Sequence, residues 1–304
     1  MKDFTIAVFR DLLSALQDRG YCFQTFDAFL SAPESKVIIL RHDVDRAPLN
    51  SLTFARIEHE FGLKGSYYFR IGPQSFKRNI ILEIAALGHE TGYHYEDVPV
   101  TARKIKMRKA GPGSPEEREL LSKAHESLSH NLALFREIHP VSTVCMHGSP
   151  LSRWNSRAIW KYHDFRALGI KGEPYFSLDL SDMLYLTDTG RRWNGSSVSV
   201  RDKGIAADSS VNDWKVKPFF GSALNLSPEA LQFQSRYNFR STMEIIEAAG
   251  KGELPDRIMI TLHPQRWNDS ILPWLKEYIG QNIRNIIKYF IVRRRHKTLT
   301  NKQG

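Results

Sequence analysis

The stretch Val37-Ile-Ile-Leu-Arg-His-Asp-Val-Asp45 carries the strongest fold signal in the 304-residue chain. Its four aliphatic residues at 37–40 are typical of a short strand that is buried on both faces of a parallel sheet. The polar residues after them therefore lie at the carboxyl end of that strand. Active sites of parallel α/β folds are built at this end, so the stretch predicts both a fold class and the edge that carries the site.

Helical and extended patterns alternate along the rest of the chain. Predicted strands follow at 66–69, 89–94, 142–146 and 257–262, with two shorter runs at 183–186 and 197–200. Between them, apolar residues recur at three- and four-residue spacing, which indicates amphipathic helices. The longest helix opens with a capping box at Ser114. This alternation predicts a parallel α/β barrel or a doubly wound sheet.

The chain is long enough for one large domain with excursions. We expect a single catalytic domain over residues 1–304, with the barrel core at 33–270. The less regular stretch at about 165–240 is predicted as an irregular insertion. Residues 271–304 are predicted as a C-terminal helix followed by a basic tail.

Basic residues are concentrated at the C-terminus. The formal net charge is +10, but residues 281–304 contain seven Lys and Arg and no acidic residue. A terminal tail differs from a basic stripe interleaved with aromatic residues, so no nucleic-acid partner is predicted. The tail suits peripheral contact with an anionic membrane surface. In the alternative, the basic tail is solvated and the apolar stripe of the C-terminal helix packs on the barrel. This stripe consists of Leu275, Ile279, Ile283, Ile287 and Phe290.

The N-terminal residues predict a cytoplasmic protein. Charged residues interrupt the stretch 1–26, unlike the apolar core of a secretory signal. No window reaches about 18 apolar residues without a charge, so no spanning helix is predicted. The two cysteines, Cys22 and Cys145, are too few for a disulfide framework.

Seven polar residues stand just after predicted strands: Asp43, Asp45, Arg70, His94, His147, Asp188 and His263. Because the carboxyl ends of parallel strands gather on one face, we expect one shared site. Paired aspartates can divide metal ligation and proton transfer, although a turn cap at Asp43 and an ion pair of Asp45 with Arg41 or Arg46 also fit. His147 and His263 each precede a turn bounded by proline, which suits a fixed general acid.

Three motifs resemble the polysaccharide deacetylase family, carbohydrate esterase family four. They are 37–45, Gly88-His-Glu-Thr-Gly-Tyr-His94 and Ile260-Thr-Leu-His263, in the family's order. The resemblance implies a distorted (β/α) barrel of about seven parallel strands and a divalent metal, commonly Zn²⁺. It further implies that Asp43 is the general base and His263 the general acid, and that Asp45 and His94 are metal ligands.

The family's usual first motif has adjacent aspartates, but some members separate them by one residue as this chain does at Asp43 and Asp45. The chain departs further from the family pattern at two points. The second motif normally supplies another histidine four residues after the first, where this chain has Val98. Candidates for the third ligand are Glu96, Asp97 and His147; we favour His147, which preserves a set of one carboxylate and two imidazoles. The arginine that orients the base in the family is also absent from 146–150, and its candidate replacements are Arg46, Arg70 and Arg153.

A polar and aromatic cluster at 185–195 is the predicted substrate-binding region. Together with residues beside the other motifs, the candidates are Arg70, Asp188, Arg191, Arg192, Trp193 and Trp267. Aromatic rings stack on sugar faces, while charged groups bind hydroxyls. A hairpin with an exposed ion pair is the alternative.

These features predict a metal-dependent hydrolase that removes an acyl group, acetyl by resemblance, from a carbohydrate. The predicted location favours an intermediate of surface-polysaccharide biosynthesis, such as a nucleotide sugar or a lipid-linked saccharide. Two alternatives stay open: a cyclic amide hydrolase of the same fold, and a non-catalytic saccharide-binding assembly factor on a degenerate barrel.

Overall fold

A curled sheet of seven parallel strands organises the molecule. The computed structural model describes residues 2–148, 152–193, 214–218 and 227–300, with side chains up to residue 286. The strands are β1 Cys22–Gln24, β2 Val37–Val44, β3 Ser66–Phe69, β4 Glu90–Tyr95, β5 Val144–Met146, β6 Met183–Thr187 and β7 Arg257–Leu262. The predicted run 197–200 lies outside the described residues.

Ten α-helices are found in the described part of the chain. They are α1 Ile6–Gln17, α2 Phe26–Ser31, α3 Pro48–Glu60, α4 Arg78–Ala86, α5 Asp97–Lys104, α6 Pro115–Arg136, α7 Pro174–Ser177, α8 Pro228–Ser235, α9 Thr242–Lys251 and α10 Ile271–Thr300. Short 3₁₀ helices occupy Ser156–Lys161, Phe165–Leu168 and Pro264–Arg266. Ser114 caps α6 by accepting a hydrogen bond from the amide of Glu117, as its capping box predicts.

The strand order is β5-β4-β3-β2-β7-β6. On the side of β2 opposite β7, β1 pairs with the first half of β2 and β3 pairs with the second half. All eight residues of β2 are buried, which agrees with a strand covered on both faces. The most apolar run of the sequence therefore forms the centre of the sheet.

The sheet closes only part of the predicted barrel. It forms a half-barrel, and within the described residues no ladder joins β5 to β6. A single bridge, Thr143 to Gly172, lies on the open side of β5. The chain between these two strands folds into 3₁₀ turns and the short helix α7 instead of an extended strand, because Gly169 takes a positive φ and Pro174 starts a helix.

Two elements that precede residue 33, the predicted start of the barrel core, pack on or pair with later elements. Helix α1 buries its apolar face, and Phe9 stacks on Phe54 of α3 with ring centroids 4.1 Å apart. Strand β1 also precedes residue 33 and pairs with β2. The stretch 165–240 likewise is more than an insertion, because β6 within it pairs with β7 along its whole length.

Helix α10 does not pack its apolar stripe on the barrel. Leu275, Ile279 and Ile283 are exposed, whereas Gln281 and Asn285 are buried. The side chains of the other two members of the predicted stripe, at 287 and 290, lie outside the described part. Among the described residues, no helix combines the length and the apolar character that crossing a membrane requires.

Candidate metal centre

The carboxyl ends of four strands bring five predicted site residues together. Asp43 lies in β2 and Asp45 just after it, His94 lies in β4, His147 follows β5, and His263 follows β7. His94 Nε2 lies 3.7 Å from a carboxylate oxygen of each aspartate. His263 Nε2 lies 4.0 Å from an oxygen of each aspartate on the other side. The parallel strands thus build one shared site.

Asp45, His94 and His147 form a group that fits a single metal ion. One ligand atom from each lies within 4.8 Å of the others. Asp45 Oδ1 is 3.3 Å from His147 Nε2 and 3.7 Å from His94 Nε2. Two ligands that bind one tetrahedral Zn²⁺ at about 2.0–2.2 Å stand roughly 3.3–3.6 Å apart, so the spacing suits a shared cation. Asp45 Oδ1 is buried and accepts no hydrogen bond, which leaves its lone pairs for a metal.

The His94 ring is oriented by the neighbouring strand. Its Nδ1 lies 3.0 Å from the carbonyl oxygen of Cys145, so Nδ1 carries the proton and Nε2 faces the aspartates. Burial lowers the pKa of His94 to about 4, although the negative charge of Asp43 opposes this shift. The ring is therefore neutral at pH 7, which is the form that binds metals.

The His147 ring is held by an acidic neighbour. Its Nδ1 lies 3.3 Å from Glu96 Oε2, and Glu96 in turn pairs with Arg70, whose Nε lies 2.9 Å from Oε1. Burial disfavours the ionised form of Glu96, but His147 and Arg70 outweigh it and lower its pKa. The geometry therefore brings His147 into the candidate ligand group and places Glu96 on the Nδ1 side of its ring, at 3.3 Å.

Asp97, the other candidate third ligand, points away from the group. It accepts hydrogen bonds from Tyr93, Ser127 and Asn131, at 2.8 Å in each case. Its carboxylate joins α5 to α6 below the site, which is a structural role.

A second, deeper group could also hold a metal: Asp43, His94 and Cys145. All three are buried, and both oxygens of Asp43 already accept hydrogen bonds from Arg41. In the first group, the side chains of Asp45 and His147 are 22% and 17% exposed. A catalytic metal needs a position open to substrate, so the first group is the better candidate.

Arg41 binds Asp43, a role for which the sequence predicted other arginines. Its Nε and Nη2 donate to the two carboxylate oxygens at 2.8 and 2.7 Å. Burial opposes ionisation of Asp43, but the Arg41 guanidinium outweighs it and lowers the pKa of this carboxyl. Asp43 is therefore a carboxylate at neutral pH.

The three arginines predicted for this role lie elsewhere. Arg46 pairs with Glu277, Arg70 with Glu96, and Arg153 donates to the carbonyl oxygen of Arg108. The three predicted arginines lie after strands, whereas the arginine that binds Asp43 lies within β2 itself. Arg41 and Asp43 are two residues apart on one strand, so their side chains point to the same face.

Asp188 orients His263, which corrects its predicted role in substrate binding. His263 Nδ1 lies 2.6 Å from Asp188 Oδ1, and the His263 amide donates to Oδ2 at 2.9 Å. Arg266 Nη1 and Trp267 Nε1 also donate to this carboxylate, at 2.8 and 2.9 Å. Asp188 is fully buried; His263 and Arg266 overcome the burial penalty and lower its pKa. The imidazole therefore keeps its proton on Nδ1 and turns Nε2 toward the aspartates.

Three other predicted substrate residues belong to the core. Trp193 and Trp267 are each 1% exposed and pack around Phe4, so neither ring can stack on a sugar. The Trp193 Nε1 donates to Thr242 Oγ1, and the buried Arg191 lies over the ring of Phe4. The described part of this cluster, 185–193, thus packs against the N-terminal segment, a contact that the sequence did not predict.

The remaining two lie at or near the surface. Arg70 is partly exposed beside the metal group and is engaged by Glu96, as described above. Arg192 is exposed between its two buried neighbours. His89, predicted as a packing residue, is buried and lies 2.9 Å from the carbonyl oxygen of Ala55.

Comparisons with protein-family models, with curated proteins and with solved structures found no match for this chain. The arrangement of its own side chains is therefore the basis for the function proposed below.

Proposed function

We propose that this chain is a metal-dependent hydrolase that removes an acyl group, in the first place acetyl, from a carbohydrate. A further part of the proposal is that its half-barrel is a divergent version of the polysaccharide deacetylase barrel. One observation carries both: the group Asp45, His94 and His147 lies between an arginine-held carboxylate, Asp43, and an aspartate-held imidazole, His263.

Asp43 is suited to the role of general base. Arg41 occupies both of its oxygens from one side, while Oδ2 also faces His94 and His263 at 3.7 and 4.0 Å. A carboxylate held in this way keeps its position and its charge. It accepts a proton from a water molecule that attacks the acyl carbon.

His263 is suited to the role of general acid. Its Nδ1 proton is bound by Asp188, so a second proton on Nε2 faces the aspartates and is available to a leaving amine or alkoxide. The negative charge of Asp188, 2.6 Å from Nδ1, favours the imidazolium form that this transfer requires. The pair works as the His–Asp pair does in other hydrolases, where the carboxylate fixes tautomer and orientation.

Asp45, His94 and His147 would hold the metal ion. When bound, a divalent cation such as Zn²⁺ supplies Lewis acidity toward an acyl carbonyl. The group offers one carboxylate and two imidazoles, which is a common donor set for catalytic zinc. Asp45 and His147, with Glu96 and Arg70 beside them, form the partly exposed side of the site. This polar rim suits a substrate that is rich in hydroxyl groups.

Two observations favour an enzyme over a binding protein on a degenerate barrel. The sequence lacks the family's second-motif histidine and third-motif arginine, and a binding protein without activity would explain both absences. His147 lies 3.3 Å from Asp45, and Arg41 donates to Asp43, which supports assigning the two roles to these residues. A cyclic amide hydrolase would use the same groups, and release of acetate from an acetylated amino sugar distinguishes the two reactions.

The experiment combines metal analysis with an acetate-release assay on acetylated amino sugars. Asp45→Ala and His94→Ala remove ligands, so both are expected to lose bound metal and activity. Asp43→Asn is expected to keep the metal and to lose turnover by about 10²–10⁴-fold, since it removes only the base. His147→Ala is expected to weaken metal retention more than Glu96→Ala, because Glu96 acts through His147.

His130→Ala, an exposed histidine on α6, is the matched control and should change neither property. Equal metal loss in Asp43→Asn and Asp45→Ala would contradict the division of roles between the aspartates. A purified protein without divalent metal, and without activity after Zn²⁺, Co²⁺ or Mn²⁺ is added, would overturn the proposed function.

A further inference from the structure

Helix α10 presents an apolar face to the outside and a polar face to the protein. Seven large apolar or aromatic side chains on it are between 42% and 80% exposed: Ile271, Leu272, Leu275, Tyr278, Ile279, Ile283 and Ile286. Helices on a protein surface normally show the reverse pattern. The spacing of three and four residues from Leu272 to Ile286 makes one continuous stripe, about 20 Å long at 1.5 Å per residue.

The buried face of α10 is fixed by polar contacts. Asn285 Nδ2 donates to the carbonyl oxygen of Gly190 at 2.9 Å, and Glu277 pairs with Arg46 at 2.6 Å. Trp274 Nε1 donates to the carbonyl oxygen of Asp3 at 2.7 Å. These contacts fix the orientation of α10 about its own axis, so the apolar stripe faces away from the rest of the protein.

The charge pattern of the same helix selects the partner. After Glu277 the chain has no acidic residue up to its end, while seven basic residues follow from Arg284 to Lys302. A basic amphipathic helix of this kind binds at an anionic lipid surface, where apolar side chains enter the boundary and each basic residue adds attraction. A second copy of this chain would offer the same basic helix, and Glu277 is already paired with Arg46 and Arg284.

We propose that the exposed face of α10, Leu272 to Ile286, docks on an anionic lipid surface. The docking uses residues outside the proposed metal centre and stands independently of the proposed reaction. Helix α10 contacts the loops after β2 and β6: Arg46 directly follows the candidate ligand Asp45, and Gly190 is two residues from Asp188. Docking therefore brings the catalytic face of the sheet close to the lipid.

The test is flotation of the full-length protein with vesicles. One set contains phosphatidylcholine mixed with phosphatidylglycerol, and the other contains phosphatidylcholine alone. The wild type is expected to float with the anionic vesicles and much less with the neutral ones. Ile279→Gln/Ile283→Gln tests the apolar face, and Arg293→Gln/Arg294→Gln/Arg295→Gln/Lys297→Gln tests the charge. Each variant is expected to bind anionic vesicles at least about tenfold more weakly.

The matched control is Leu82→Gln/Leu231→Gln, which replaces two exposed leucines on α4 and α8 and should float like the wild type. Glutamine is a good helix former and the replaced side chains are exposed, so circular dichroism should show unchanged folding. Equal flotation of the wild type and the Ile279/Ile283 variant would overturn the proposal. A second result would also overturn it. If the wild type sediments as a dimer without lipid and the Ile279/Ile283 variant sediments as a monomer, a second copy of the chain covers this face.

Discussion

At the scale of single residues, Asp188 shows how one buried carboxylate determines the chemistry of another group. Four donors converge on it: the ring and the amide of His263, the Arg266 guanidinium and the Trp267 indole. An ionised carboxylate has about four lone-pair sites, so the donors use its full capacity. Because two of the four donors come from His263, replacing this carboxylate is expected to disturb the orientation of the His263 ring.

Asp188→Asn should lower kcat by about 10²–10⁴-fold, because an amide no longer holds the Nδ1 proton in place. The KM and the metal content should stay near the wild-type values, since the ligands lie on the other strands. Steady-state kinetics and metal analysis check this expectation. Asp182→Asn, an exposed aspartate that pairs with Arg257, is the control and should leave kcat unchanged. Loss of metal together with kcat would show that Asp188 supports the whole site instead.

Residue types and strand ends were sufficient to select Asp43, Asp45, His94, His147 and His263, all of which the structure brings together. Sequence spacing could not show that Arg41 binds Asp43. Arginine and aspartate two residues apart occur on many strands, and only the shared interior of the half-barrel makes them partners. Trp193 and Trp267 were misassigned for a related reason, because Phe4 and α1 complete the core around them.

At the scale of elements, the junction of β4 with α5 and α6 supports the candidate ligand His94. Gly92 permits β4 to lie close to its neighbours, since an added Cβ would stand 2.7 Å from the Tyr68 ring and 2.9 Å from the Thr143 carbonyl oxygen. Beyond β4, Asp97 joins α5 to α6 through hydrogen bonds from Tyr93, Ser127 and Asn131. Burial nevertheless raises the pKa of Asp97 to about 6, because these donors offset only part of the desolvation.

This raised pKa makes the stability of the junction depend on pH. The folded state holds the Asp97 proton more tightly than the unfolded state, so the stability that this proton provides is complete below about pH 4 and is lost as the pH rises through 6. The free energy of unfolding should fall by about 2 kcal/mol more in the wild type than in Asp97→Asn between pH 4 and pH 7. Urea unfolding at a series of pH values measures the difference. Asp11→Asn, at an exposed position on α1, should follow the wild type, and parallel pH curves for the wild type and Asp97→Asn would contradict the expectation.

Most helices and strands were predictable from the sequence, but the incomplete closure of the sheet into a barrel was not. Apolar periodicity located β2, β3, β4, β7 and α6 to within a few residues, because burial in these elements follows from local sequence. The open edge between β5 and β6 depends on how a long connection folds, which periodicity does not encode. The stripe on α10 shows the same limit: its spacing predicted an apolar face correctly, but the polar contacts of Glu277 and Asn285 decide which side faces the protein.

At the scale of the whole molecule, the candidate metal group connects three strands that are separate in sequence. Asp45 follows β2, His94 lies in β4, and His147 follows β5, and these strands belong to the side of the sheet that runs from its centre, β2, to the edge strand β5. A cation bound by all three would cross-link that side. Because unfolding separates the ligands, binding must stabilise the folded state.

Zn²⁺ or Co²⁺ at a free concentration of a hundred times its Kd should stabilise the folded protein by about 2.7 kcal/mol. For a chain of this size, such a change raises the Tm by roughly 5 °C. Differential scanning fluorimetry of metal-free protein, with and without the cation, measures the shift. Asp45→Ala should show no shift, while Cys145→Ser should keep it, because Cys145 belongs only to the deeper group. A shift that survives Asp45→Ala and disappears in Cys145→Ser would move the metal to that deeper group, away from the partly exposed side where a substrate can reach it.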